Sequence, residues 1–147
     1  MNSKPPRILF VDDHKDTLEL FQIALSHQNY EVVTASSIEQ ALQETDRNHF
    51  DLLILDSWIG DGSGVDLCKS IRERDQGTPI VFCSGLAAEK YRREALAAGA
   101  QCYLTKPVSM ADLYATVGEL TSRSSRPMSK SENMNRKTSG DLVTAPS

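Results

Sequence analysis

Four consecutive large aliphatic residues, Leu52-Leu53-Ile54-Leu55, run directly into an acid, Asp56, and then into a glycine-rich stretch ending at Gly64. Such a run is long enough for a strand buried on both faces and too short for a helix. Burial on both faces requires layers above and below it. An acid at the carboxyl end of a buried strand also stands where open α/β sheets carry their chemistry. The other strand ends therefore matter for what they bring to Asp56.

Four more short apolar or β-branched segments fit the same scheme. Ile8-Leu9-Phe10-Val11 ends on Asp12-Asp13, Glu31 to Ala35 is β-branched, Ile80-Val81-Phe82-Cys83 ends at Ser84, and Cys102-Tyr103-Leu104 is broken by Lys106-Pro107. Between them lie helical stripes. Leu18, Phe21 and Leu25 mark a first helix from about His14 to Gln28. Ser36 and Glu39 read as a capping box for a second helix through Ala41 and Leu42. Val65, Leu67, Cys68 and Ile71 mark a third, and Ala88 to Ala98, closed by Gly99, a fourth. Ser109 and Asp112 open a fifth through Leu113, Val117 and Leu120. Five alternating strands and helices predict a doubly wound (βα)5 parallel sheet, with flavodoxin-like strand order 2-1-3-4-5.

Charge divides the chain. Of the net −4, residues 123–147 contribute +3, from five basic residues against Glu132 and Asp141, which leaves −7 for residues 1–122. An acidic folded part argues against direct nucleic-acid binding, which needs basic patches. The last segment is polar, basic and aperiodic, with few apolar side chains to offset backbone ordering. It is expected to be a flexible tail following a folded unit over 1–122. No apolar run approaches the roughly 20 residues of a spanning helix, and the opening MNSKPPR has no signal-peptide core. A cytoplasmic location without a membrane span is the expectation. Cys68, Cys83 and Cys102 lie in apolar surroundings and are expected to be buried reduced thiols.

In the predicted sheet order, Asp12, Asp13 and Asp56 converge at one mouth, with Ser84 and Lys106 arriving from the neighbouring strand ends. Two like charges about 5 Å apart, at an effective dielectric near 20, repel by about 3 kcal/mol. Either the carboxyl pKa values rise or a divalent cation fills the gap. A hard, all-oxygen site with few protein ligands suits Mg²⁺, which shares its shell readily with a phosphoryl oxygen. The chemistry that fits is attack by a carboxylate on phosphorus, with Lys106 and the Ser84 hydroxyl binding the oxygens of the transferred group.

Taken in order and spacing, Asp12-Asp13, Asp56, Ser84 and Lys106-Pro107 resemble the receiver domains of two-component response regulators, over residues 7 to about 121. Each motif alone is weak, and the set at the correct strand ends is highly specific. The resemblance implies that Asp56 accepts phosphate from a histidine kinase or histidine phosphotransfer protein. It implies that Asp12, Asp13, Asp56 and the Trp58 main-chain carbonyl hold Mg²⁺, that Tyr103 is an aromatic switch coupled to Ser84, and that the Lys106-Pro107 bond is cis. It also implies an unidentified downstream protein target. That target would meet the face of the fourth helix, fifth strand and fifth helix, including Lys90, Tyr91 and Tyr103. The reading is a non-enzymatic, stand-alone signalling switch, since the tail is too short and polar for a helix-turn-helix domain. Gly60 stands where the family often has proline, which implies a more mobile loop. Trp58 and Leu86 flank the route to phosphorus and are expected to slow attack by water, which phosphate-loss rates with both residues made small would check.

Blander readings stand beside these. Asp13 can be a turn residue, Ser84 a cap for the next helix, Lys106 a solvated lysine and Tyr103 a half-buried strand aromatic. His14, His27 and His49 share no spacing or ligand partner and are read as solvated. The glycine-rich stretch matches neither GxGxxG nor GxxxxGK[ST], so loop flexibility is preferred to nucleotide binding. An aspartyl phosphohydrolase is one rival, although such enzymes want a second acid where Trp58 stands. A flavin or nucleotide module on this fold is another, and a phosphorelay shuttle a third.

Overall fold

The computed structural model describes residues 4–124. The sheet strands are β1 (Arg7–Val11), β2 (Glu31–Ala35), β3 (Leu52–Leu55), β6 (Ile80–Ser84) and β7 (Cys102–Thr105), with a two-residue pair β4 (Trp58–Ile59) and β5 (Gly62–Ser63) between β3 and β6. The helices are α1 (Lys15–Ser26), α2 (Ile38–Arg47), α3 (Gly64–Arg74), α4 (Glu89–Ala97) and α5 (Met110–Ser124). The five long strands pair in the order β2-β1-β3-β6-β7, all parallel, as the (βα)5 pattern predicts.

Alternation along the strands builds two cores. Leu9, Val11, Leu53, Leu55, Ile80 and Phe82 face one layer with Ala41 of α2, Leu67 and Ile71 of α3 and Ala95 of α4. Ile8, Phe10, Ile54, Val81 and Leu104 face the other, with Phe21 and Leu25 of α1 and Leu113 and Val117 of α5. Every residue of β3 is at most 1% exposed, so truncating any of its leucines to alanine forfeits about 2–5 kcal/mol. Cys68, Cys83 and Cys102 are buried and free. Among the described residues no helix is long and apolar enough to cross a membrane.

Local details depart from the sequence reading at three places. The cap of α2 is Ser37, whose hydroxyl accepts from the Gln40 amide at 3.1 Å, rather than Ser36. Gln40 reaches back to accept from the Ser36 amide, so the box is set one residue later than Ser36 and Glu39. The stretch after Asp56 is a small antiparallel hairpin, with Trp58 opposite Ser63, turned by Gly60 at φ +61°. α4 spans Glu89–Ala97, slightly shorter than expected, with Gly99 at φ +116° just beyond its end. The Gly99 and Ala100 amides donate to the Leu96 and Ala95 carbonyls, a left-handed termination that suits glycine. Of the proposed tail over 123–147, Arg123 and Ser124 instead form the last residues of α5, and residues 125–147 lie outside the described residues.

Candidate functional site

Three residues of the predicted constellation are each fixed by a sheet hydrogen bond that continues the ladder past a strand end. The Asp12 amide donates to the Ala35 carbonyl, the Asp56 amide to the Val11 carbonyl and the Lys106 amide to the Ser84 carbonyl, at 2.8–3.1 Å. Main-chain bonding thus aims Asp12, Asp56 and Lys106 at one rim before any side-chain interaction is considered. Gly64 closes the rim from below. Its amide donates to the Ser57 carbonyl, and a Cβ there would lie 1.9 Å from the Asp56 carbonyl oxygen. Any larger residue would displace the backbone that carries Asp56.

The side chains meet. Lys106 Nζ donates to Asp12 Oδ2 at 2.8 Å and lies 3.4 Å from Asp56 Oδ2. Asp56 Oδ1 accepts from the Ser57 amide at 2.7 Å, and Asp13 Oδ2 accepts from the Gly60 amide at 3.0 Å, tying the hairpin to the acid pair. Asp12 is fully buried, whereas Asp13 is exposed and Asp56 lies between the two. Carboxylate oxygens of Asp12, Asp13 and Asp56 and a ring nitrogen of His14 all fall within 4.8 Å of one another, a group able to hold a metal ion.

Burial raises the Asp56 carboxyl above its ordinary range; the Lys106 charge opposes this, and the Asp12 charge adds to it. For Lys106, burial pulls downward, but its bond to Asp12 and the charges of Asp56 and Asp12 outweigh that, so the ammonium is held above its usual value. The nearby Cys83 thiol is pushed up to about 12, chiefly by burial, and stays protonated and unreactive.

Ser84 is buried at the end of β6, where its Oγ accepts from the Leu86 amide at 3.1 Å. It does not cap α4, whose N-cap residue is Ala88. Tyr103 is turned inward at 2% exposure, more buried than the half-buried alternative supposes. Trp58 is exposed on β4, and Leu86 is half-buried. The Lys106-Pro107 bond is cis.

His14 is where the sequence reading fell short. Its ring is well exposed, but Nδ1 lies 3.1 Å from Asp12 Oδ1 and 3.3 Å from Asp13 Oδ1, so it has partners in the acid cluster. His27 is exposed, and His49 Nε2 lies 3.5 Å from Asp51. The one available signal was position: His14 directly follows the acid pair and occupies the N-cap of α1. The main chain of Leu86 adds a contact that its side chain does not signal, since its amide donates to Ser84 Oγ and its carbonyl accepts from the Tyr103 phenol.

Comparison with known proteins agrees with this geometry. The family model for the response regulator receiver domain matches residues 8–118. The nisin biosynthesis regulatory protein NisR of Lactococcus lactis subsp. lactis is 40% identical over 111 residues, covering 76% of this chain and 48% of that protein. The alkaline phosphatase synthesis transcriptional regulatory protein PhoP of Bacillus subtilis is 33% identical over 143 residues, covering 97% of this chain and 58% of that protein. The chain thus spans about half the length of these curated relatives. Among solved structures, a putative response regulator from Chloroflexus aurantiacus superimposes with a TM-score of 0.76 at 33% identity, covering 82% of this chain and 100% of that one. The response regulator protein TrrA from Thermotoga maritima, solved in complex with Mg(2+)-BeF, gives 0.71 at 30% identity, with coverage of 78% and 98%. With the acid pair, the third-strand aspartate and the lysine gathered at one rim, and with a family match running from β1 into α5, this chain belongs to the receiver domains of two-component response regulators.

Proposed function

We propose that Asp56 is the phosphoacceptor of a signalling switch, with a histidine kinase or histidine phosphotransfer protein as donor. The observation that carries this reading is Lys106 Nζ lying between the Asp12 and Asp56 carboxylates, an ammonium ready to bind a phosphoryl oxygen delivered to Asp56. An Asp56 oxygen attacks phosphorus, the phosphorus–nitrogen bond to the donor imidazole breaks, and the product is an acyl phosphate with the imidazole released. Lys106 then compensates the roughly two negative charges added, and Ser84 supplies a hydroxyl to a phosphoryl oxygen.

The donor set of Asp12, Asp13 and Asp56 fits a hard divalent cation, and the solved complex of TrrA with Mg(2+)-BeF favours Mg²⁺. The Trp58 carbonyl is a further proposed ligand. When bound, Mg²⁺ supplies charge neutralisation at the transferring group. Output runs through Tyr103 and the face of α4, β7 and α5, including Lys90 and Tyr91, to a protein partner. No catalytic turnover of a separate substrate is part of this role, and nothing in the site favours the phosphohydrolase over the switch.

Trp58 reports on the reaction because it is the only tryptophan and stands two residues from Asp56. Its fluorescence is expected to respond to Mg²⁺ and again to beryllofluoride, with the second response lost in Asp56→Asn. A full beryllofluoride response in that variant would refute the assignment of Asp56.

A further inference from the structure

We infer that His14 is a nitrogen donor to the divalent cation and widens the site's selectivity from Mg²⁺ toward ions of the Mn²⁺, Co²⁺ and Zn²⁺ type. The inference rests on the carboxylate metal site proposed above and concerns a residue outside that oxygen set.

Two observations support it. Neighbouring donors around an octahedral ion with bonds of about 2.1 Å are separated by about 3 Å. His14 Nδ1 stands 3.1 Å from Asp12 Oδ1, a hydrogen-bond contact, and 3.3 Å from Asp13 Oδ1, distances that neighbouring ligands of one shared ion would also have. The Asp56 carboxylate belongs to the same group within 4.8 Å. Donor chemistry supplies the second support. Carboxylates alone suit hard ions, whereas imidazole binds Mg²⁺ poorly and first-row transition ions well. Three carboxylates and one imidazole therefore discriminate less strongly for Mg²⁺ than three carboxylates do. The ring has room to act, since 72% of the side chain is accessible.

The test is a pair of metal titrations in one buffer at a single pH. Trp58 fluorescence is followed as Mg²⁺ or Co²⁺ alone is added to the full chain and to His14→Gln, an exposed substitution that spares the core. The expected result is a loss of Co²⁺ affinity of about tenfold or more, with Mg²⁺ affinity changed by less than about twofold. Proton NMR of the Co²⁺-loaded wild type is expected to show a strongly shifted, exchangeable imidazole N–H signal that the variant lacks. Equal changes for the two ions, or the same shifted signal in both chains, would overturn the role of His14 and leave the carboxylate site standing. Failure of the wild type to respond to either ion would overturn both.

Discussion

The phenol of Tyr103 donates to the main-chain carbonyl of Leu86 at 2.5 Å, and the Leu86 amide in turn donates to Ser84 Oγ. One residue of the β6–α4 connection thus links the strand-end hydroxyl to the aromatic ring of β7. The ring also stacks on Phe82, with centroids 6.1 Å apart. A shift of Ser84 toward a phosphoryl oxygen has a hydrogen-bonded route to the α4–β7 face, with Leu86 as its joint. Tyr103→Phe keeps the stack and removes the bond. We expect a loss of about 1 kcal/mol in urea denaturation. We also expect a weakened spectral response near Lys90 and Tyr91 when beryllofluoride is added, measured by NMR.

Lys106 Nζ pairs with the fully buried Asp12 at 2.8 Å and also reaches Asp56. Lys106→Met leaves two neighbouring carboxylates without it. The expected cost in metal-free buffer is about 2 kcal/mol, below the usual range for a broken buried pair because the lysine remains partly exposed. The pH dependence has a definite sign. The folded value of Lys106 is raised, so its stabilisation is complete below the ordinary lysine value and is lost as pH rises through the folded one. Alkaline denaturation curves should show this loss in the wild type and not in Lys106→Met.

Asp56 behaves in the opposite sense from a well-paired carboxylate. Its folded value is raised, so the folded chain holds the proton more tightly than the unfolded chain, and stability falls as pH climbs through that raised value. Asp56→Asn should therefore be more stable than wild type at neutral pH without metal. A gain of the order of 1 kcal/mol, or roughly 4 °C in Tm, is expected, and it should vanish at pH values below the ordinary aspartate range. Thermal scans across pH provide the check, and added Mg²⁺ should raise the wild-type Tm more than that of the variant.

Much of the fold was legible because its signals are local and repeated. The apolar run Leu52–Leu55 and its counterparts each fix a strand, and the stripes between them each fix a helix, so the sheet order follows from handedness. Asp12, Asp56, Ser84 and Lys106 were legible for the same reason, since each directly ends or follows a strand. The β4–β5 hairpin was not, because two-residue strands have no periodicity and the glycines around them read as a loop. The cap of α2 slipped by one residue because Ser36 and Ser37 are equivalent in sequence, and only backbone geometry selects between them. Leu86 as a joint was illegible in principle, since its amide and carbonyl are groups nearly every residue carries. His14 had a visible position but no partner at helical or metal-ligand spacing. Its partners are the two acids immediately before it, brought near by the turn into α1.

The rim formed by Asp12, Asp13, Asp56 and Lys106 is proposed to receive a phosphoryl group on Asp56. Incubation with a small-molecule phosphodonor and Mg²⁺, followed by borohydride trapping and peptide mass spectrometry, tests it most directly. One borohydride-reduced acyl phosphate is expected at Asp56, dependent on Mg²⁺ and absent from Asp56→Asn. Labelling at another residue, or equal labelling of the variant, would contradict the proposal.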